Sequence, residues 1–157
     1  KKKNKGKIIQ LSGGGAARPL PLISSYAVSK AAVVRFVENL SEELKNYKID
    51  VNAVAPGPLN TGMLEEIIKA GPKKVGKNFY NKSLKQKKTG GTPFSKVCEL
   101  ILFLGSKYSN GISGKLISAL WDDWKNWPNY KELLQNSDAY TLRRIVGKER
   151  GFEWGDK

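Results

Sequence analysis

The 157-residue sequence contains no histidine and a single cysteine, Cys98, and it has half as many acidic as basic residues, 14 against 28. Each shortage excludes something. Without histidine, and with one thiol, neither a Cys/His metal site nor a disulfide within the chain is available. A reducing, cytoplasmic setting is therefore expected. Also missing is any apolar run near the roughly 18 residues that span a bilayer, and "IIQLSGGGAARPLPLI" is too polar and glycine-broken for a signal-peptide core. No membrane association is expected. The basic excess, +14 at neutral pH, is concentrated in "KKKNKGK" at the start and in residues 69–88. Such a charge attracts polyanions over long range. These lysines are spread over loops without a binding motif or interleaved aromatics, so nucleic acid is not an expected partner.

What is present reads as one domain, large enough to bury a real core. Residues 6–12, "GKIIQLS", form a short β-rich run that stops at Gly13, Gly14 and Gly15, as a buried strand does on entering a loop. From Ser25 the pattern turns helical, with Val33, Phe36, Val37, Leu40 and Leu44 at three- and four-residue steps. In "KIDVNAVAPGP" a second strand alternates Ile49, Val51 and Ala53 with polar residues and ends at a Pro-Gly-Pro turn. A strand, a helix and a strand of these lengths imply a parallel, right-handed crossover and an α/β fold. Residues 60–91 read as a mobile, partly helical excursion. Thr92 as N-cap and Pro93 in the first turn then predict a helix carrying Val97, Leu100, Ile101 and Leu104. "GKLISAL" supplies a third strand, and short helices are predicted near 128–136 and 138–146.

Tyr26 and Lys30 stand four apart at the start of the predicted helix. A tyrosine that exchanges a proton near neutral pH needs its pKa lowered from about 10, and an ammonium one turn away on the same face can do so. General acid–base chemistry at a hydroxyl or carbonyl carbon could then run through Tyr26.

Around this pair, "YAVSKAAV" at 26–33 resembles the Y-x-x-x-K signature of the short-chain dehydrogenase/reductase family. "IDVNAVAPGPLNT" is similar to the family's strand and P-G-x-x-x-T loop, and "TPFSKVCELILFLGSKYSNGISGKLISA" to its closing helix and last strand. The likeness covers residues 6–120. It implies a Rossmann-like doubly wound parallel sheet and reversible hydride transfer between an alcohol or carbonyl substrate and NAD or NADP. Tyr26 would be the acid/base, with Lys30 lowering its pKa and binding the nicotinamide ribose. Pro56, Gly57 and Thr61 would contact the nicotinamide end. The helix bearing Tyr26 commonly pairs subunits in this family, so a homo-oligomer is expected.

The sequence departs from the family in two places. The carbonyl-polarising serine falls on Gly13, which makes the preceding Ser12 the candidate. Ser24 and Ser25 are alternatives, read rather as helix-capping hydroxyls. The Gly-rich phosphate turn, the ribose selector and the structural asparagine of the family have no counterpart ahead of Ile8. The expectation is a carboxyl-terminal half of the catalytic domain over residues 1–120, with a lid at about 60–91. A Trp-rich extension over 121–157 is expected to pack on the lid or a neighbouring subunit. Met63, Phe79 and Tyr80 could line a pocket under the lid, whose lysines 73, 74, 77, 82, 85, 87 and 88 could meet an anionic substrate. Asp122 and Asp123 of "WDDW" are read as surface groups, since consecutive residues do not face one site.

Overall fold

A computed structural model describes residues 5–154. Strands β1 (Gly6–Leu11), β2 (Ile49–Ala55) and β3 (Leu116–Ser118) form one parallel sheet in the order β1-β2-β3. The register sets Ile8 beside Val51 and Val54 beside Ile117. Because side chains alternate along a strand, the sheet has two apolar faces. Val51 and Ala53 pack with Val34 and Val37 of helix α1 (Ser24–Glu43). On the other face Val54 and Ile117 pack with Val97, Leu100 and Leu104 of helix α5 (Phe94–Gly105). One helix on each face of a parallel sheet is the doubly wound arrangement.

The α1 stripe differs from the predicted one by a step around the helix. Val34 is fully buried, whereas Phe36 is 54% exposed. Neither Ser24 nor Ser25 caps this helix: both lie within its first turn, the N-cap position belongs to Ile23, and no side chain accepts there. Thr92 likewise fails to cap α5, where the N-cap residue is Pro93. Its backbone N–H donates to the Pro58 carbonyl at 2.8 Å, and its side chain turns inward to lie against Gly57.

Between β2 and α5 the chain is more helical than its composition suggests. It forms α2 (Gly62–Ala70), α3 (Pro72–Val75) and α4 (Lys77–Thr89), broken at Gly71 and Gly76, both at positive φ. After β3, Trp124 and Trp127 are buried against α5, and Trp124 meets Phe103 at 5.3 Å between ring centres. They pack there rather than over the lid helices, while Trp121 is 82% exposed. A 3₁₀ turn, Trp127–Tyr130, leads into the short α6 (Lys131–Gln135).

The helix predicted at 138–146 does not form, because its backbone is engaged elsewhere. Lys115 Nζ donates to the Ser137 and Ala139 carbonyls at 2.9 Å, Leu116 N–H to Tyr140 O at 2.8 Å, and Arg35 to Leu142 O. These contacts hold the segment in an irregular path in which its carbonyls bond to Lys115, β3 and Arg35 instead of to residues four positions on. Asp122 is also no bare surface group. Half-buried, it accepts the Ser118 N–H at 2.7 Å and closes the end of β3; burial raises its pKa, and that hydrogen bond restrains the rise.

Candidate active site

Parallel strands present their following loops at one edge of the sheet, and the residues singled out by sequence gather at that edge. Ser12 ends β1. Its N–H donates to Val54 O at 2.8 Å, tying it to β2, and its hydroxyl donates to the Lys30 carbonyl at 3.0 Å, tying it to α1. Ser12 is 3% exposed, so its donor is committed inside the fold. Lys30 reaches back across the same junction, with Nζ on Leu11 O at 3.3 Å and 5.7 Å from the centre of the Tyr26 ring.

Gly13 provides the space for the phenol. A Cβ at that position would stand 2.8 Å from the Tyr26 hydroxyl, inside normal contact distance, so Tyr26 lies where a side chain at 13 would be. Gly13 is extended, with φ at 178°, a conformation any residue adopts; it is needed for room, not flexibility. Gly15 acts similarly. A Cβ there would come within 2.8 Å of Leu20 and 3.2 Å of the Ala27 backbone, so the loop can lie directly on α1.

Burial raises the Tyr26 pKa above the usual tyrosine value. The sequence leads one to expect a lowering by Lys30; in this structure burial sets the direction. The ammonium is engaged by the Leu11 carbonyl, and desolvation of the hydroxyl dominates. In this state Tyr26 is a protonated donor.

The second predicted group follows β2. Gly57 has φ of +81°, and a Cβ there would lie 2.7 Å from Thr92 Oγ1, so the turn requires glycine on both counts. Thr92 and Gln86 hold the loop in place, the first through Pro58 O and the second by donating to Leu59 O and Asn60 Oδ1 at 3.0 and 3.1 Å. Pro56 is half-buried at the end of β2. Thr61 is exposed ahead of α2, where its carbonyl accepts the Leu64 N–H at 2.9 Å. Both site groups thus stand at the carboxyl ends of adjacent strands. No hydrogen bond among the described residues joins the 56–61 loop to Tyr26 or Lys30.

The 60–91 segment lies against the turn that precedes α1. Leu22, at φ +69°, brings its Cδ1 to 3.1 Å of where a Cβ on Gly76 would sit, between α3 and α4. Phe79 and Tyr80 are half-buried, Met63 is exposed, and the lid lysines point to solvent apart from Lys87, which pairs with Glu65 at 2.8 Å. Sequence reasoning missed the Leu11 carbonyl, Thr92 and Gln86 as supports. Only the glycine at 57, which admits Thr92, carried a readable hint. Among the described residues no group of three Cys, Asp or Glu is placed to hold a metal, and no helix is long and apolar enough to cross a membrane.

Comparison with known proteins agrees with this architecture. Residues 1–119 match the family model described as enoyl-(acyl carrier protein) reductase. L-2,3-butanediol dehydrogenase of Corynebacterium glutamicum is 35% identical over 121 residues, covering 72% of this chain and 45% of that protein. The crystal structure of a short chain dehydrogenase family protein from Francisella tularensis superposes with a TM-score of 0.62 at 26% identity, over 74% of this chain and 50% of that one. A 3-oxoacyl-[acyl-carrier protein] reductase with bound NAD from Brucella melitensis gives 0.53 at 25% identity, over 74% and 40%. The chain thus spans about half the length, or less, of the proteins it matches. With the family model, the doubly wound sheet and the Tyr26–Lys30 helix all in agreement, the chain belongs to the short-chain dehydrogenase/reductase family.

Proposed function

We propose that this chain carries the proton-transfer half of an NAD- or NADP-dependent oxidoreductase acting on a small alcohol or carbonyl compound. The observation that carries the reading is the Tyr26 hydroxyl over Gly13, at the strand end where Lys30 and the 56–61 loop also stand. The residues fit the nicotinamide end of such a cofactor. Lys30 Nζ keeps donors beyond the one given to Leu11 O, and Gly13 is a point where a Cβ would crowd the Tyr26 hydroxyl. No G-x-G-x-x-G turn occurs in the sequence, so no pyrophosphate cradle is assigned to these residues. When bound, the nicotinamide supplies or accepts the hydride.

The chain's own residues manage the proton. In carbonyl reduction Tyr26 donates its hydroxyl proton to the substrate oxygen as the carbon receives hydride; in alcohol oxidation the phenolate oxygen takes that proton back. A phenol whose pKa is raised by burial is held in the protonated form from which reduction starts. Lys30 stabilises the phenolate and bonds the ribose hydroxyls. Pro56, Gly57 and Thr61 line the nicotinamide end. Ser12, whose proton is given to Lys30 O, acts as the clamp that sets α1 against β1, and the polarising bond to the substrate oxygen falls to Tyr26. A homo-oligomer formed through α1 belongs to the same reading, supported by the exposed Val28 and Phe36.

A second reading, a non-catalytic subunit-pairing module, is favoured by one observation: β1 has a neighbour strand on one side only among the described residues. Titration of the 157-residue chain with NADH and NADPH, followed by energy transfer from its tryptophans, separates the two. Saturable binding, with alcohol-dependent turnover that Tyr26→Phe lowers by about 10²–10⁴-fold at unchanged cofactor affinity, supports the enzyme. Absence of binding up to millimolar cofactor leaves the module.

A further inference from the structure

One concavity among the described residues is remote from Tyr26. It is an open groove of about 1390 Å³ at the amino ends of β1 and β2, lined by Gly6, Ile49 and the 105–114 turn after α5. The strands carry about 3.3 Å per residue, so roughly 17–20 Å of sheet separates it from the Tyr26 edge. Its far wall comes from residues 134–137 and 141–143, which lie outside the 1–119 family match. The groove is therefore built from the family domain and the extension together.

Its charges are sorted in a particular way. The carboxylates of the lining are largely neutralised within the wall. Asp50 takes Lys7 Nζ at 2.6 Å and the Gly111 N–H at 3.1 Å; Glu38 takes Arg35 at 2.8 Å and the Leu142 N–H. The one remaining acid, Glu42, approaches Lys45 at only 3.8 Å, with both side chains exposed. Three cations of the lining are left over. Lys5 and Lys48 have no partner among the described residues, and Lys107 has only the ring of Tyr108, at 5.6 Å. Unpaired cations converging on one groove raise the local concentration of anions and bind them more tightly than the same charges dispersed on a convex surface.

We propose that this groove is a binding site for a small multivalent oxyanion, held by Lys45, Lys48 and Lys107 with Lys5 at the rim, separate from the Tyr26 site. The volume of the groove and its several cations suit a ligand with two or more anionic groups better than a single phosphate. The test is calorimetric titration of the 157-residue chain at low ionic strength with inorganic pyrophosphate, and in a second arm with citrate. Two charge-matched variants accompany it: Lys45→Gln/Lys48→Gln/Lys107→Gln in the groove, and Lys82→Gln/Lys85→Gln/Lys88→Gln on the lid. All six lysines are exposed, so both variants are expected to fold, which far-UV circular dichroism checks. The expected result is one saturable site, weakened about tenfold or more by the groove variant and less than about twofold by the lid variant, as short-range pairing rather than net charge requires. Tyr26→Phe leaves it unchanged, so this outcome does not depend on the oxidoreductase reading. Binding of pyrophosphate alone assigns the site to phosphate esters; binding of both anions extends it to polycarboxylates. Equal weakening in the two triple variants, or no saturation with either anion, overturns the proposal.

Discussion

At Gly13 the absence of a side chain decides where the Tyr26 phenol can stand. The Tyr26 hydroxyl occupies the volume a Cβ would need, so Gly13→Ala must displace the phenol or the loop. The expected cost is about 1–3 kcal/mol, as for other overpacked positions, read from urea unfolding. A new tyrosine environment in near-UV circular dichroism should accompany it. Tyr26 also makes a titration prediction. Burial raises its pKa, so in a difference titration of the chain against Tyr26→Phe the missing phenol should ionise above the ordinary tyrosine value of about 10. The sign for stability follows. Between the unfolded and the raised folded value the folded chain holds more protons, so Tyr26 contributes stability that is present below about pH 10 and is lost as pH rises through its folded pKa. Because burial dominates, Lys30→Met should leave the phenol above the ordinary value; a fall below it would contradict the account.

Among the elements, the extension is joined to the sheet through Lys115. This residue is 4% exposed, and its ammonium holds the carbonyls of Ser137 and Ala139, directly before β3. Burial lowers its pKa against the opposing pull of Asp138 and Glu38. Between that lowered value and the unfolded value of about 10.4 the unfolded chain binds more protons, so the Lys115 contribution rises with pH across that window. Lys115→Met should lose about 1–2 kcal/mol by removing the two hydrogen bonds, and the difference in stability from wild type should grow as pH approaches that upper limit. Urea unfolding at a series of pH values checks both. This junction was illegible in the sequence for a physical reason. Residues 138–146 carry helix-compatible residues, and nothing local says that a lysine more than twenty positions earlier takes their carbonyls. Thr92 is a similar case, since a threonine before a proline reads as a cap until Gly57 is seen to admit it. By contrast, β1, β2 and α1 were legible because alternation and the helical period are local. At the candidate site, the Tyr26–Lys30 spacing and the Pro-Gly turn were legible too, whereas Gly13 as the seat of the phenol and Leu11 O as the partner of Lys30 depend on long-range packing.

For the whole molecule, the question is how a sheet of three strands covers both faces. On one side α1 supplies Val34 and Val37, with Ala16 and Leu142 packed against the same cluster. On the other, α5 shares the task with the extension, since Trp124, Trp127 and Leu134 belong to the same apolar cluster as Leu100, Leu104 and Ile117. The third strand is short, and its outer N–H groups go to the extension and to the Asp122 turn, so the extension also closes that edge of the sheet. The residues beyond the family match are thus part of the core and not an appended tail. Trp127 meets Tyr140 at 4.4 Å between ring centres, which joins the core cluster to the segment that lies on α1. Trp127→Ala should cost about 3–5 kcal/mol, while Trp121→Ala, at an exposed position, should stay within about 0.5 kcal/mol. Paired urea melts of the two variants discriminate directly. If the extension were an independent appendage, the Trp127 variant would retain the wild-type midpoint. If it completes the core, that midpoint falls while the Trp121 variant's does not, and dye binding to newly exposed apolar surface rises only in the former.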